Sequence, residues 1–212
     1  MPGENRCPDR RRTGRSIASL ALGCALAWLL VPPAALAQGA ESPEALVAAI
    51  QKAAADQDIP AFIQLVAPSQ LQKLAFQTDF GADMIADSSE DASKKPLEEK
   101  IAKLREKYGV SLDKAAGQPK LQVDSNTPQE AIDQHLRERI HLIYDGVDVA
   151  GYTGELTALV MTAPEMAGRS ILPQGTPGDI ERDGDAAKVK IGDTEVRMVR
   201  EDGRWYVSEP GS

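Results

Sequence analysis

The strongest constraint on how this chain folds is the alternation near its C-terminus. Ala187-Lys188-Val189-Lys190-Ile191 sets apolar and charged residues in strict turn, and Glu195-Val196-Arg197-Met198-Val199 does so again. Side chains of a strand point to opposite faces with a period of two, so each segment predicts a strand with one apolar face. Gly192-Asp193 between the segments and Asp202-Gly203 after them are turn dipeptides, and Trp205-Tyr206-Val207 begins a third strand. These features predict an antiparallel meander of at least three strands. Val189, Ile191, Val196, Met198, Trp205 and Val207 share a face that needs apolar cover from elsewhere in the chain.

The first two thirds of the chain supply that cover as helices. Ser42 and Pro43 open a helix whose stripe is Leu46, Val47, Ile50, Ala53 and Ala54, ending near Asp56. A short turn from Pro60 presents Phe62, Leu65 and Val66. Ser69 and Gln72 have the spacing of a capping box before a helix lined by Leu71, Leu74, Ala75 and Thr78. Gly81 weakens that helix, and the polar stretch from 87 to 96 reads as an exposed connection. Leu97, Ile101, Leu104 and Tyr108 define the next helix, with Gly109 to stop it. Residues 112 to 126 read as an irregular crossing. Thr127, Pro128 and Glu130 then start a helix lined by Ile132, Leu136, Ile140 and Ile143. Val147 and Val149 suggest a strand, and Leu156, Leu159, Val160 and Met161 a short buried helix or strand. Pro164, Pro173 and Pro177 mark a loop pinned by Ile171 and Leu172.

The expected architecture is α+β: N-terminal helices, over about 43–145, packed on a C-terminal antiparallel β-meander over about 179–208. The run from Ala187 to Val207, with its charged strand, Asp202-Gly203 turn and Trp205-Tyr206-Val207 ending, resembles the last strands of secreted proteins with the NTF2-like (cystatin-like) fold. Those proteins also open on a helix like residues 43–56. The resemblance implies a curved sheet with helices on one face, and a fold often associated with binding.

The first 37 residues predict a compartment. Arg10, Arg11, Arg12 and Arg15 precede an apolar run from Ile17 to Val31, and Ala35-Leu36-Ala37 stands ahead of Gln38. A basic head, a short apolar core and small residues two apart read as a secretory signal peptide cut after Ala37. The run is about 15 residues, short for a bilayer span. The expected mature chain, 38–212, is a single domain of 175 residues in the periplasm or outside the cell, with no membrane span after cleavage. Both cysteines, Cys7 and Cys24, leave with the leader, which removes disulfides and thiolate metal sites from the expectation. The mature part carries 19 basic against 30 acidic side chains. That balance opposes nucleic acid and anionic lipid.

No catalytic residue is assigned from the sequence. A Gly-x-Ser-x-Gly elbow, a Gly-rich phosphate cradle and a dinucleotide fingerprint are all missing, so no cofactor is expected. His135 and His141 are six apart on one helix, a rotation that separates them, and no metal site is expected from them. Asp145, Asp148 and Glu155 lack the calcium-loop pattern, and Asp179, Glu181, Asp183 and Asp185 read as a hydrated sheet edge. Tyr144, Tyr152 and Tyr206 offer apolar area with a polar tip, and Tyr144, Asp148 and Tyr152 form the candidate pocket. The leading expectation is a soluble periplasmic non-enzymatic protein that binds an envelope partner protein or a small hydrophobic ligand. Two alternatives stand beside it. One is an isomerase or dehydratase on a cone-like fold, using a buried Asp133 or Asp148 near Tyr144 or Tyr152. The other is a purely structural envelope adaptor.

Overall fold

The computed structural model describes residues 38–89, 91–117 and 127–208; the expected leader and part of the 112–126 crossing lie outside them. The fold is α+β. Six α-helices among the described residues precede a four-stranded antiparallel sheet in the order β1-β2-β3-β4. The strands are β1 (Glu181–Asp183), β2 (Ala186–Ile191), β3 (Thr194–Glu201) and β4 (Arg204–Val207). The alternation sets the register: Val189 lies opposite Val196, Ala187 opposite Met198, and Met198 opposite Val207. All five are buried. Asp202 and Gly203 both take positive φ, 50° and 81°, which closes the β3–β4 hairpin with the twist its strands need.

Helices α1 (Pro43–Asp56) and α2 (Ile59–Ile63) cover the apolar face of the sheet. The Ala45 N–H donates to Ser42 Oγ at 3.2 Å, and the Ala61 N–H to Asp58 Oδ1 at 2.9 Å, so both helices begin on side-chain caps. Leu46, Ile50, Val66, Ile191, Met198 and Val207 share one core. The outer edge of β4 is also paired. Ala40 bridges Trp205 in antiparallel fashion and Val66 bridges Val207 in parallel, so two short segments shield an edge that would otherwise recruit another chain.

Helices α3 (Pro68–Ser88), α4 (Asp91–Tyr108), α5 (Gln129–Tyr144) and α6 (Val149–Val160) enclose a second core around Ala75, Ala82, Ile101, Tyr144, Tyr152 and Leu156. Several expectations change here. The Ser69–Gln72 capping box does not form. Helix α3 begins two residues earlier than that cap would set it, at Pro68, and both the N–H and the hydroxyl of Ser69 donate to the Glu201 carboxylate at the end of β3. A carboxylate from the sheet thus serves the helix N-terminus, where negative charge is favoured. Gly81 does not interrupt α3, because it faces open space while Ala75, Asp79, Ala82 and Ala86 hold the buried side.

The exposed connection expected at 87–96 is mostly helix: α3 runs to Ser88 and α4 starts at Asp91. Pro96 lies within α4 and forfeits one hydrogen bond, while burial of Leu97 and Ile101 just beyond it holds the helix in place. Helix α5 begins at Gln129 with Pro128 in the cap position, one residue later than expected. The strand suggested at Val147 and Val149 is the start of α6, capped by Asp148. At Gly154 a Cβ would sit 2.8 Å from Cα of Pro60, so its absence lets α6 lie against α2. Two of the residues expected to be buried are partly exposed, Leu136 at 39% and Ile171 at 38%. No helix among the described residues is long and apolar enough to cross a membrane.

Candidate functional site

The most concentrated chemistry of the molecule lies inside the helical core, at Asp79. Its position on α3 follows Leu71 and Ala75 by four-residue steps, so the helix carries it inward with them. Only 3% of Asp79 is exposed. A carboxylate buried this deeply is tolerated only when it is paired and hydrogen-bonded. Four contacts from three residues do so. Tyr144 donates its hydroxyl to Oδ2 at 2.7 Å, and Tyr152 donates to Oδ1 at 2.6 Å. Arg105, from α4, donates Nε and Nη2 to Oδ1 at 3.0 and 2.9 Å. The same guanidinium reaches Asp83 one turn along α3, at 2.9 Å. Helices α3, α4, α5 and α6 therefore meet at one carboxylate.

The electrostatics follow from that geometry. Burial pushes the Tyr144 and Tyr152 hydroxyls well above the ordinary tyrosine range, and donation to Asp79 adds to the effect. Burial opposes the charge of Arg105, yet its bonds to Asp83 and Asp79 outweigh that cost and raise its basicity. Tyr108 extends the cluster outward. Its ring meets Tyr152 edge-on at 5.7 Å, its hydroxyl donates to Glu155 at 2.9 Å, and Lys107 pairs with Glu155 at 2.6 Å. The Lys107 contact holds Glu155 below the usual carboxylate range. Among the described residues no buried side-chain polar atom lacks a partner.

The structure brings Tyr144 and Tyr152 together, with ring centroids 6.2 Å apart, but places Asp148 elsewhere. Asp148 caps α6 by accepting from the Gly151 N–H at 3.0 Å. Asp133 is exposed on α5, where it accepts from Gln129. The acid beside the tyrosines is Asp79, which the sequence reading passed over. Its signal was present as an isolated acid continuing the stripe of Leu71 and Ala75 into Ala82 and Ala86. Tyr206 belongs to the sheet side, packed so closely on Gly39 that a Cβ there would come 2.4 Å from its ring. His135 is half-buried and His141 exposed, and no group of three metal-ligating side chains occurs among the described residues. Asp179, Glu181, Asp183 and Asp185 are all exposed at the β1 edge, with Glu181 paired to Lys188 at 2.9 Å.

The molecule also presents open clefts. One of about 750 Å³ lies between α1, α2 and β4, with Ala49, Ala53, Ala61 and Leu65 as apolar wall and Tyr206 and Arg204 beside them. The Lys52–Asp56 pair, 2.7 Å apart, stands on its rim. Its size is within the range of small-molecule sites. A second cleft of about 580 Å³ borders β1–β3, and a third of about 470 Å³ separates α3 from α5.

These features define a class: an α+β protein with a buried, fully bonded carboxylate in its helical core and open clefts at its surface. Comparison with protein-family models, with curated proteins and with solved structures finds no match to this chain, so its function is read from its own geometry.

Proposed function

We propose that the protein is an exported, non-enzymatic binding protein of the cell envelope, taking a small hydrophobic ligand or an apolar segment of a partner protein in the cleft between α1, α2 and β4. The observation that carries this reading is the closed condition of Asp79. Its oxygens are occupied by Tyr144, Tyr152 and Arg105, and both tyrosines are sealed, 1% and 0% exposed. A general acid or base must reach the proton it moves. Asp79 meets the buried Asp–Tyr requirement of the isomerase reading in composition but gives a substrate no place beside it, so its role is to clamp helices.

The α1–β4 cleft suits the binding reading better, since its apolar wall of Ala49, Ala53, Ala61 and Leu65 faces a comparable set of polar side chains, among them Lys52, Asp58, Gln64 and Arg204, a lining that favours ligands of mixed character. Export rests on the leader, and an NTF2-like relationship rests on the meander with α1 laid across it; both are part of the proposal. Titration with a neutral naphthylamine fluorophore tests it. Saturable one-to-one binding, lost in Ala49→Phe, which fills the cleft, is the expected result. Absence of saturable binding by the folded protein sinks the ligand reading and leaves the structural adaptor. Cell fractionation with intact mass measurement checks export and a mature N-terminus at Gln38.

A further inference from the structure

The cleft between α3 and α5 has a character opposite to that of the chain around it. Its α5 wall is formed by positions 133, 136, 137, 140 and 141, the three- and four-residue spacing of one helix face, and its α3 wall by the first turns of that helix. Leu136 and Ile140 give it an apolar floor. Lys73, Arg137 and His141 line the same space. Among the described residues none of these three has an ion-pair or hydrogen-bond partner. Asp133 is the one carboxylate of the lining, and it already accepts from Gln129 Nε2 at 2.8 Å.

Acidic side chains outnumber basic ones, 32 to 24, over the whole sequence. Lys52, Arg105, Lys107, Arg182 and Lys188 each have an acidic partner. Lys73 and Arg137 against the single carboxylate of Asp133, with His141 beside an apolar floor, leave the lining positive where the chain as a whole is negative. A concave site lined by one sign of charge concentrates ligands of the other sign.

We propose that the α3–α5 cleft binds a small single-chain organic anion, a medium-chain alkyl carboxylate or alkyl phosphate. Lys73 and Arg137 hold the head group, with His141 as an additional donor, and the chain lies along Leu136 and Ile140. The planar fork of arginine suits either head, since both present paired oxygens. The volume of about 470 Å³ is sufficient for such a molecule. This site is separate from the α1–β4 cleft and does not depend on it.

The test is an NMR titration of the protein with octanoate, octyl phosphate and octanol. The expected result is saturable movement of backbone amides at 69–73 and 133–141 with both anions, and far weaker binding of octanol. The tighter anion identifies the head group. Lys73→Gln with Arg137→Gln is expected to weaken the anion by at least about tenfold, the scale of a lost hydrogen bond to a charged group. Neither side chain has a partner to lose, so the far-ultraviolet circular dichroism and Tm of the variant stay those of the parent. Equal binding of octanol and octanoate, or an affinity unmoved in the double variant, overturns the proposal. Shifts confined to 49–65 and 204–206 also overturn it, while leaving the α1–β4 reading intact.

Discussion

The two cores of this protein are closed by different physics. The sheet core, beneath α1 and α2, is packed by Leu46, Ile50, Val66, Ile191 and Met198, and Asp79, the one charged side chain buried among the described residues, lies in the other core. The helical core has alanines along the buried side of α3 and a carboxylate in its middle, tied to two tyrosines and an arginine. Small residues let helices approach, and the bonds to Asp79 fix which helices meet and in what register. An apolar core tolerates exchange of shape among its members, whereas a buried ionic cluster tolerates little, because removing one partner strands the rest.

Truncation in the sheet core gives the largest expected effect. Ile50 is fully buried, so Ile50→Ala is expected to destabilise by about 3–4 kcal/mol from lost burial and the cavity it leaves. Equilibrium urea unfolding measures it, and a loss below about 1 kcal/mol would mean that the core relaxes around the gap. Next comes the clamp. Arg105→Met keeps an apolar stem but leaves Asp79 without its cation, at an expected cost of about 3 kcal/mol. The two variants separate further by hydrogen exchange. Protection is expected to fall first in α3 and α4 for Arg105→Met, and in α1 and β2–β4 for Ile50→Ala. Identical exchange patterns would show that the two cores unfold as one unit.

The same contrast explains what was legible in the sequence. The sheet was readable because a period of two in Ala187–Ile191 and Glu195–Val199 has one structural meaning, and the turn residues between them fix the register. Helix α1 was readable for a similar reason, through Ser42, Pro43 and a continuous apolar stripe. The helical core was not, because its packing uses residues that imitate other things. Val147 and Val149 resemble the start of a strand, whereas Gly151 and Gly154 just beyond them are close-approach positions in α6. Pro96 and the polar residues beside it resemble a loop when tertiary burial of Leu97 holds them helical. Asp79 resembles a surface acid, and its partners lie 26, 65 and 73 residues away, beyond any local pattern. Tyr144 and Tyr152 stand out in the sequence as side chains with apolar area and a polar tip, but the acid between them could be found only by following the stripe of α3 past Thr78.

A pH titration sharpens the comparison on one side only. Tyr144 and Tyr152 are held above the tyrosine reference value of 10.0 in the folded state, chiefly by burial. Above that value the unfolded chain loses these protons while the folded chain keeps them, so stability is full below about pH 10 and falls as the pH rises. Tyr144→Phe costs about 1.5–2 kcal/mol at neutral pH by removing one bond to a buried charge. It is expected to make the decline above pH 10 shallower by up to about 1.4 kcal/mol per pH unit, because one titrating group is gone. Ile50→Ala shifts the whole curve and leaves its slope alone. A Tyr144→Phe curve parallel to the parent's would mean that this hydroxyl ionises as readily in the folded state as in the unfolded one.

The smallest effect lies where the two regions join. Ser69 begins the helical core and Glu201 ends β3, and the carboxylate accepts from both the N–H and the hydroxyl of Ser69. This link takes the place of the capping box that Gln72 would have completed, and it makes the start of α3 depend on the sheet. Its groups are exposed, so solvent and salt weaken it. Glu201→Gln keeps the shape and one acceptor oxygen while removing the charge that favours a helix N-terminus. The expected loss is about 0.5 kcal/mol in low salt, shrinking toward zero at high salt as the field of the helix is screened. Amide exchange in the first turn of α3 should quicken while that of α1 and β2 stays unchanged. A loss that persists at high salt would show that the link acts through geometry, by setting the angle at which α3 leaves the sheet, rather than through charge.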